Sequence, residues 1–117
     1  MRESLVVHSC IKWLCLHKVK WWRQNSGAIR TESGAWVRFG DKGSPDLMCR
    51  VPVRVNGRKY ATLVGIECKS DTGKLSEDQE AWRDAHEADG GIYVVARSID
   101  DLEARRNELL GLTSGKQ

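Results

Sequence analysis

Asp46-Leu47-Met48-Cys49-Arg50-Val51-Pro52-Val53-Arg54-Val55-Asn56-Gly57-Arg58-Lys59-Tyr60-Ala61-Thr62-Leu63-Val64-Gly65-Ile66-Glu67-Cys68-Lys69 is two strand-like runs hinged on Asn56-Gly57. Asn-Gly is the strongest short hairpin signal a sequence can carry, because a two-residue loop needs positive φ at both positions. Asp46–Val53 and Tyr60–Lys69 therefore read as antiparallel neighbours. Counted outward from the turn, Asp46 lies about ten residues back and Glu67 about ten forward, so the hairpin register brings the two acids together. Side chains on a strand alternate faces. Glu67 and Lys69 then share one face, while Val64, Ile66 and Cys68 point to the other.

Two acids from adjacent strands can hold a hard divalent cation, and a lysine beside them leaves an ammonium next to whatever water or phosphate the cation binds. That set suits phosphodiester hydrolysis. The plainer reading is a surface Glu/Lys strand with Asp46 in a Pro-led turn, since Ser44-Pro45-Asp46 is ordinary turn chemistry. Against it, both acids adjoin apolar stretches, Leu47-Met48-Cys49 and Leu63-Val64-Gly65-Ile66. Carboxylates placed there are partly desolvated and need a compensating cation or Lys69.

The rest of the chain supplies an order of elements. Residues 3–20 read as a helix with Val7, Cys10, Ile11 and Leu14 at helical spacing, and Glu3 one turn before Val7 on the same face. Trp21 to Gly27 looks extended, and Gly27, Gly34 and Gly40 punctuate a loop-rich stretch around a short strand, Trp36–Phe39. Ser76 with Gln79 fits a capping box, with Glu77 and Asp78 well placed in the first turn of a second helix. Gly90-Gly91 ends that helix before an apolar strand, Ile92–Ala96, which a helical crossover allows to pair in parallel. Ser98 with Asp101 caps a last helix running to about Leu110. The fold class expected is α/β, a mixed central sheet flanked by helices in the order αβββαβα, with one domain over 1–112 and a flexible tail at 113–117.

The 117 residues suffice for one core, and no apolar run approaches the roughly 18 residues of a membrane span. Cys10, Cys15, Cys49 and Cys68 lie in apolar segments without C-x-x-C pairing. Cys10, Cys15 and His17 match no standard zinc spacing, so four reduced, mostly buried thiols are expected. His8, His17 and His86 have no acid or nucleophile at a suggestive spacing. Residues 1–60 carry 12 Lys/Arg against 4 Asp/Glu, and residues 61–117 carry 7 against 12. The basic half also holds Trp13, Trp21, Trp22, Trp36 and Phe39, an interleaving that reads as a nucleic-acid footprint or as core aromatics among solvated lysines.

Taken together, Glu3, Arg23-Gln24-Asn25 with Gly27, Gly43-Ser44-Pro45-Asp46-Leu47, Glu67-Cys68-Lys69, Leu75-Ser76-Glu77-Asp78-Gln79 and Gly90-Gly91 resemble the virus-type replication-repair nuclease (VRR-NUC) domains. These form a branch of the PD-(D/E)XK nuclease superfamily with the restriction-endonuclease-like fold. The resemblance covers almost the whole chain and is to the small stand-alone versions carried by bacteriophages. It implies a Mg²⁺- or Mn²⁺-dependent DNA endonuclease with Asp46, Glu67 and the backbone carbonyl of Cys68 as metal ligands, and Glu3 reaching the metal through water. It implies Lys69 as the group that orients or activates the attacking water and steadies the phosphate, with Gln79 assisting. Gln79 is equally explained as a cap, and Gln24 either touches DNA backbone or satisfies a loop. Small stand-alone members look like Holliday-junction resolvases acting as homodimers. The lack of a membrane-length apolar run and of a signal-peptide layout, with unpaired cysteines, leads to the expectation of a cytoplasmic protein (host cytoplasm if phage-encoded). The first helix and Trp21-Trp22 are then expected at the dimer contact, with Arg23, Arg30, Arg38 and Lys42 among the phosphate contacts. The alternatives are a flap- or nick-directed nuclease, a nonspecific one, and a nucleic-acid-binding domain without turnover.

Overall fold

The computed structural model describes residues 1–24 and 27–112; Asn25, inside the stretch expected to be extended, and the tail 113–117 lie outside the described residues. Asn56 and Gly57 adopt φ of 51° and 79°, the left-handed pair that a type I′ turn requires. The turn joins β4 (Leu47–Val55) to β5 (Arg58–Cys68), paired antiparallel from Val55↔Arg58 to Leu47↔Ile66. β1 (Lys20–Arg23) lies on the far side of β4, Lys20 opposite Arg50 and Arg23 opposite Leu47. Pro52, which has no N–H to donate, falls where β4 has run past β1 and faces Gly111 instead of a strand. β6 (Ile92–Ala96) pairs parallel to β5, Val64↔Ile92 through Cys68↔Ala96, after the crossover helix α2 (Glu77–Ala88). The result is a mixed sheet of order β1-β4-β5-β6.

Period-two alternation divides this sheet into an apolar and a polar face. Leu47, Cys49, Val51, Val64, Ile66 and Cys68 meet Val6, Val7, Cys10, Trp13 and Leu14 of α1 (Glu3–Leu16). Leu102 of α3 (Ile99–Glu103) and Leu109 of α4 (Arg106–Leu109) close the same layer. Each fully buried Leu, Ile or Val contributes about 1.5–3 kcal/mol, so this layer holds the domain. The opposite face carries Asp46, Met48, Gly65 and Glu67, and α2 lies over its β6 and β5 strands, with none of its own residues fully buried. Among the described residues no helix is long and apolar enough to cross a membrane.

Three expectations are corrected. The first helix ends at Leu16 rather than residue 20. Lys18 takes φ 58°, its N–H bonds Cys15 O at 3.1 Å and the Val19 N–H bonds Leu14 O at 3.0 Å, a Schellman closure whose left-handed residue is Lys instead of Gly. The last helix is two short pieces, because Arg105 leaves helical geometry and turns its guanidinium onto Glu108 Oε1 at 2.7 Å and Tyr93 O at 3.2 Å. Trp36–Phe39 (β3) does not join the main sheet; it pairs with β2 (Gly27–Arg30) in a separate ribbon. Its register places Arg30, Trp36 and Arg38 on one face and Ile29, Val37 and Phe39 on the other, all of them exposed.

Left-handed backbone costs a residue with a Cβ roughly 1–2 kcal/mol. Lys18→Gly is therefore expected to stabilise the domain by about 1 kcal/mol, raising Tm by roughly 3–5 °C. Thermal melts by circular dichroism check this, and an unchanged or lowered Tm would contradict the closure described for α1.

Candidate active site

Continuing the β4–β5 register by one residue sets Asp46 opposite Glu67. Asp46 arrives from a loop pinned at several points. The Gly43 backbone sits at φ 79°, so close to the Asp78 carbonyl that a Cβ would collide with it. Asp41 Oδ2 accepts from the Trp82 indole N–H at 2.9 Å, and Lys42 pairs with Asp78 at 3.5 Å. Pro45 is buried against Gly65, where a Cβ would stand 2.9 Å from the proline ring and 3.2 Å from Trp82. The Asp46 carboxylate accepts from the Cys68 N–H at 2.8 Å, and its carbonyl accepts from the Gln24 N–H at 3.0 Å. Loop, helix α2 and β5 thus fix one aspartate.

Glu67 and Lys69 are 4% and 8% exposed, the two buried charged residues of the described chain. Lys69 Nζ stands 3.6 Å from Glu67 Oε2 and 4.0 Å from Glu3 Oε1. Glu67 Oε2 also accepts from Gln79 Nε2 at 3.2 Å. The same Gln79 completes the capping box, its Oε1 taking the Ser76 N–H at 2.9 Å while Ser76 Oγ takes the Gln79 N–H at 3.2 Å. One carboxamide is therefore both helix cap and carboxylate donor. Burial, reinforced by Asp46 and opposed by Lys69, pushes the Glu67 carboxyl up to about 7.

The charge balance tests whether a cation fits. Glu67 and Glu3 share one ammonium while Asp46 stands opposite Glu67, and burial, then the Asp46 charge, raise the Glu67 carboxyl. Hard carboxylate oxygens lacking a full counter-charge suit a hard divalent ion. Among the described residues, no three His, Cys, Asp or Glu side chains form a cluster that could hold a metal. The donors available are the Asp46–Glu67 pair, backbone oxygens and water, with Glu3 half-exposed beyond Lys69.

The remaining expected residues are dispersed. The Gln24 side chain accepts from the Trp22 indole at 3.1 Å. Arg23, opposite Leu47, projects on the α1 side of the sheet, away from Glu67. Arg30 and Arg38 ride on the β2–β3 ribbon, Arg30 over the Trp36 ring at 5.4 Å. Trp21 donates to Cys15 Sγ at 3.3 Å, and both Trp21 and Trp22 are half-buried within the chain. Cys10, Cys49 and Cys68 are free core thiols, Cys10 and Cys68 within hydrogen-bond reach of each other, and Cys15 is exposed. His86 ties α2 to the sheet through the Leu63 and Ile92 carbonyls at 3.2 and 3.0 Å. Asp41, Trp82 and Tyr93 escaped the sequence reading. Gln79, Trp82 and His86 at helical spacing form an inward stripe that could have revealed Trp82; nothing local marks Asp41. Tyr93, 5% exposed, has a phenol pushed up by burial and then by Glu67, and its OH has no partner among the described residues. No family model, curated protein or solved structure matches the chain.

The raised Glu67 carboxyl sets a pH dependence. The folded chain binds its proton more tightly than the unfolded chain, whose carboxyl sits near the ordinary value of 4.5. Its contribution to stability is complete below about 4.5 and is lost as pH rises through about 7. In metal-free buffer, the stability difference between wild type and Glu67→Gln should therefore shift in favour of the variant between pH 5 and pH 8. Urea melts across that range measure it, and a pH-independent difference would mean that Glu67 is solvated.

Proposed function

We propose that this chain is a Mg²⁺- or Mn²⁺-dependent DNA endonuclease with the restriction-endonuclease-like fold implied by its resemblance to VRR-NUC domains. The observation that carries the reading is a buried glutamate opposite an aspartate, with a buried lysine two residues on along the same face. The element order around the four-stranded sheet, α1-β1-β4-β5-α2-β6-α3, supports the fold assignment.

Asp46 and Glu67 would hold the ion, helped by the Cys68 carbonyl and, through water, by Glu3. Such an ion, when bound, neutralises phosphate charge and makes water more acidic. The residues of the chain then have separable tasks. Gln79 and Lys69 donate toward Glu67 Oε2 and hold its carboxylate in one orientation. Lys69 lies 11% exposed by side chain, so its ammonium acts in a poorly solvated space. There it can stabilise charge developing on the phosphate and orient the attacking water. Asp46 is prevented from swinging away by the Cys68 N–H.

Branched DNA cut by a cytoplasmic homodimer is the substrate reading that follows from the resemblance. Exposed Leu5 and Leu16 on α1, with half-buried Trp21 bonded to Cys15 on the same side of the sheet, support self-association through that side, whereas Trp22 lies on the Met48 face. One observation favours the second reading, a nucleic-acid-binding domain without turnover: the lack of three converging ligand side chains among the described residues.

Purified protein is to be incubated with four-way, flap, nicked and linear DNA, with and without Mg²⁺ or Mn²⁺. Wild type should cut only with metal, and junctions before linear duplex. Lys69→Ala and Glu67→Gln should each lose at least about 10²-fold in rate while keeping the wild-type circular dichroism spectrum. Cleavage by either variant at near wild-type rate would remove it from the site, and no cleavage of any substrate would favour the binding-domain reading. Independently of activity, Mn²⁺ should raise the wild-type Tm more at pH 8 than at pH 6, because Glu67 must lose its proton to bind. Asp46→Asn should abolish that shift, and an equal shift in the variant would exclude Asp46 as a ligand.

A further inference from the structure

The face of the sheet that carries Asp46 and Glu67 is covered at Met48 and Gly65 by Pro45 and by Trp82 of α2, and beyond them lies open along the β4–β5 hairpin. The register sets Met48 against Gly65, Arg50 against Leu63, Pro52 against Ala61 and Arg54 against Lys59, with Lys20 of β1 beside Arg50. Because alternate residues share a face, Lys20, Arg50, Arg54 and Lys59 lie on the same side as Glu67. All four are exposed, and none forms a salt bridge among the described residues. Between the Asp46–Glu67 pair and the turn this face carries no acid, and Leu63, 44% exposed, gives it an apolar contact. On its β6 side Asp89, the residue that caps the C-terminus of α2, shares a cavity of about 420 Å³ with Ala61 and Leu63, and the exposed acids of α2 lie beyond it.

We infer that this row of cations is the track on which the DNA backbone lies as it enters the Asp46–Glu67 site. The inference rests on the nuclease reading above and names the surface that would hold its substrate. At about 3.4 Å per residue, Arg54 stands roughly 27 Å from Asp46, the length of about eight base pairs. Four unpaired cations on one side and an acidic wall on the other confine a polyanion to the β1 side of the face. The track includes neither Arg23, which points to the α1 side, nor Lys42, which is held by Asp78. The competing role is structural, since charged residues on a long hairpin edge discourage strand-to-strand aggregation without binding anything.

The test is fluorescence anisotropy of the full chain with labelled duplex and four-way junction in Ca²⁺, from 50 to 200 mM salt. Arg50→Ala/Arg54→Ala should weaken binding at least tenfold and lower the salt slope by about 2, one unit for each phosphate no longer neutralised. Lys20→Ala/Lys59→Ala, an independent pair on the same face, should do the same. Lys12→Ala/Arg58→Ala removes two cations from the α1 side of the sheet and should leave affinity within about twofold and the slope unchanged. If all three double variants weaken alike, net charge and not the track governs binding, and the inference fails. If none weakens while wild type binds, the row is edge protection and the nuclease reading survives. A wild-type chain that binds no DNA overturns both.

Discussion

The type I′ turn at Asn56-Gly57 is the constraint on which the rest depends. A two-residue loop leaves no slack, so Val55 must face Arg58 and every later pair is determined. A slip of one residue would exchange the faces of β5, putting Glu67 among Val6, Cys10 and Leu14 and turning Ile66 to water. The apolar layer under α1 therefore enforces the register that the turn proposes, and both requirements are met by the one pairing that sets Asp46 opposite Glu67. Packing on one face of the sheet positions the ionisable groups on the other.

Those groups are arranged at some cost to the fold. A glutamate and a lysine almost without solvent lose hydration that their mutual attraction recovers only in part. Lys69 and the Gln79 amide offset part of that loss, but burial first, and then the charges of Asp46 and Glu3, make the Glu67 carboxyl hold its proton to about 7. Two apolar residues of similar volume would serve this end of β5 at least as well, so folding alone does not call for the pair. The site is held by the fold and strained against it electrostatically, a condition that a positively charged ligand relieves.

Much of this was legible in the chain because the deciding signals are local. Asn56-Gly57 announces its own turn, Ser76 and Gln79 announce the start of α2, and Gly90-Gly91 its end. The side assigned to Glu67 and Lys69 followed from alternation alone. What escaped depends on contacts between distant segments or on residues used against type. A lysine closes α1 where glycine is the usual signal. Arg105 leaves helical geometry for a carbonyl on β6. Trp36–Phe39 reads as a strand but not as a strand of which sheet. The bond from Trp82 to Asp41 joins a helix to a loop halfway along the chain, and no pattern in either segment indicates the other. Arg23 reads as basic and near the site, yet which side of the sheet it occupies follows from its pairing with Leu47. The row formed by Lys20, Arg50, Arg54 and Lys59 is likewise invisible until three strands are laid side by side.

The hydrogen bond from the Gln24 N–H to the Asp46 carbonyl has an architectural meaning as well as a local one. The chain leaves the main sheet at Gln24 and rejoins it directly alongside, so the β2–β3 ribbon is an excursion whose two ends are already closed. Once closure is fixed by the sheet, doubling the length of such an excursion costs only about 0.6 kcal/mol. The ribbon itself, up to Phe39, can be lengthened, shortened or exchanged while β1, β4 and β5 keep their pairing and Asp41 to Pro45 keep their hold on α2 and β5. The excursion is rooted on the residue that supplies a carboxylate to the site. The ribbon can thus be exchanged as a cassette at the edge of the Asp46–Glu67 face, with Glu67, Lys69 and the core beneath them left as an unaltered chassis.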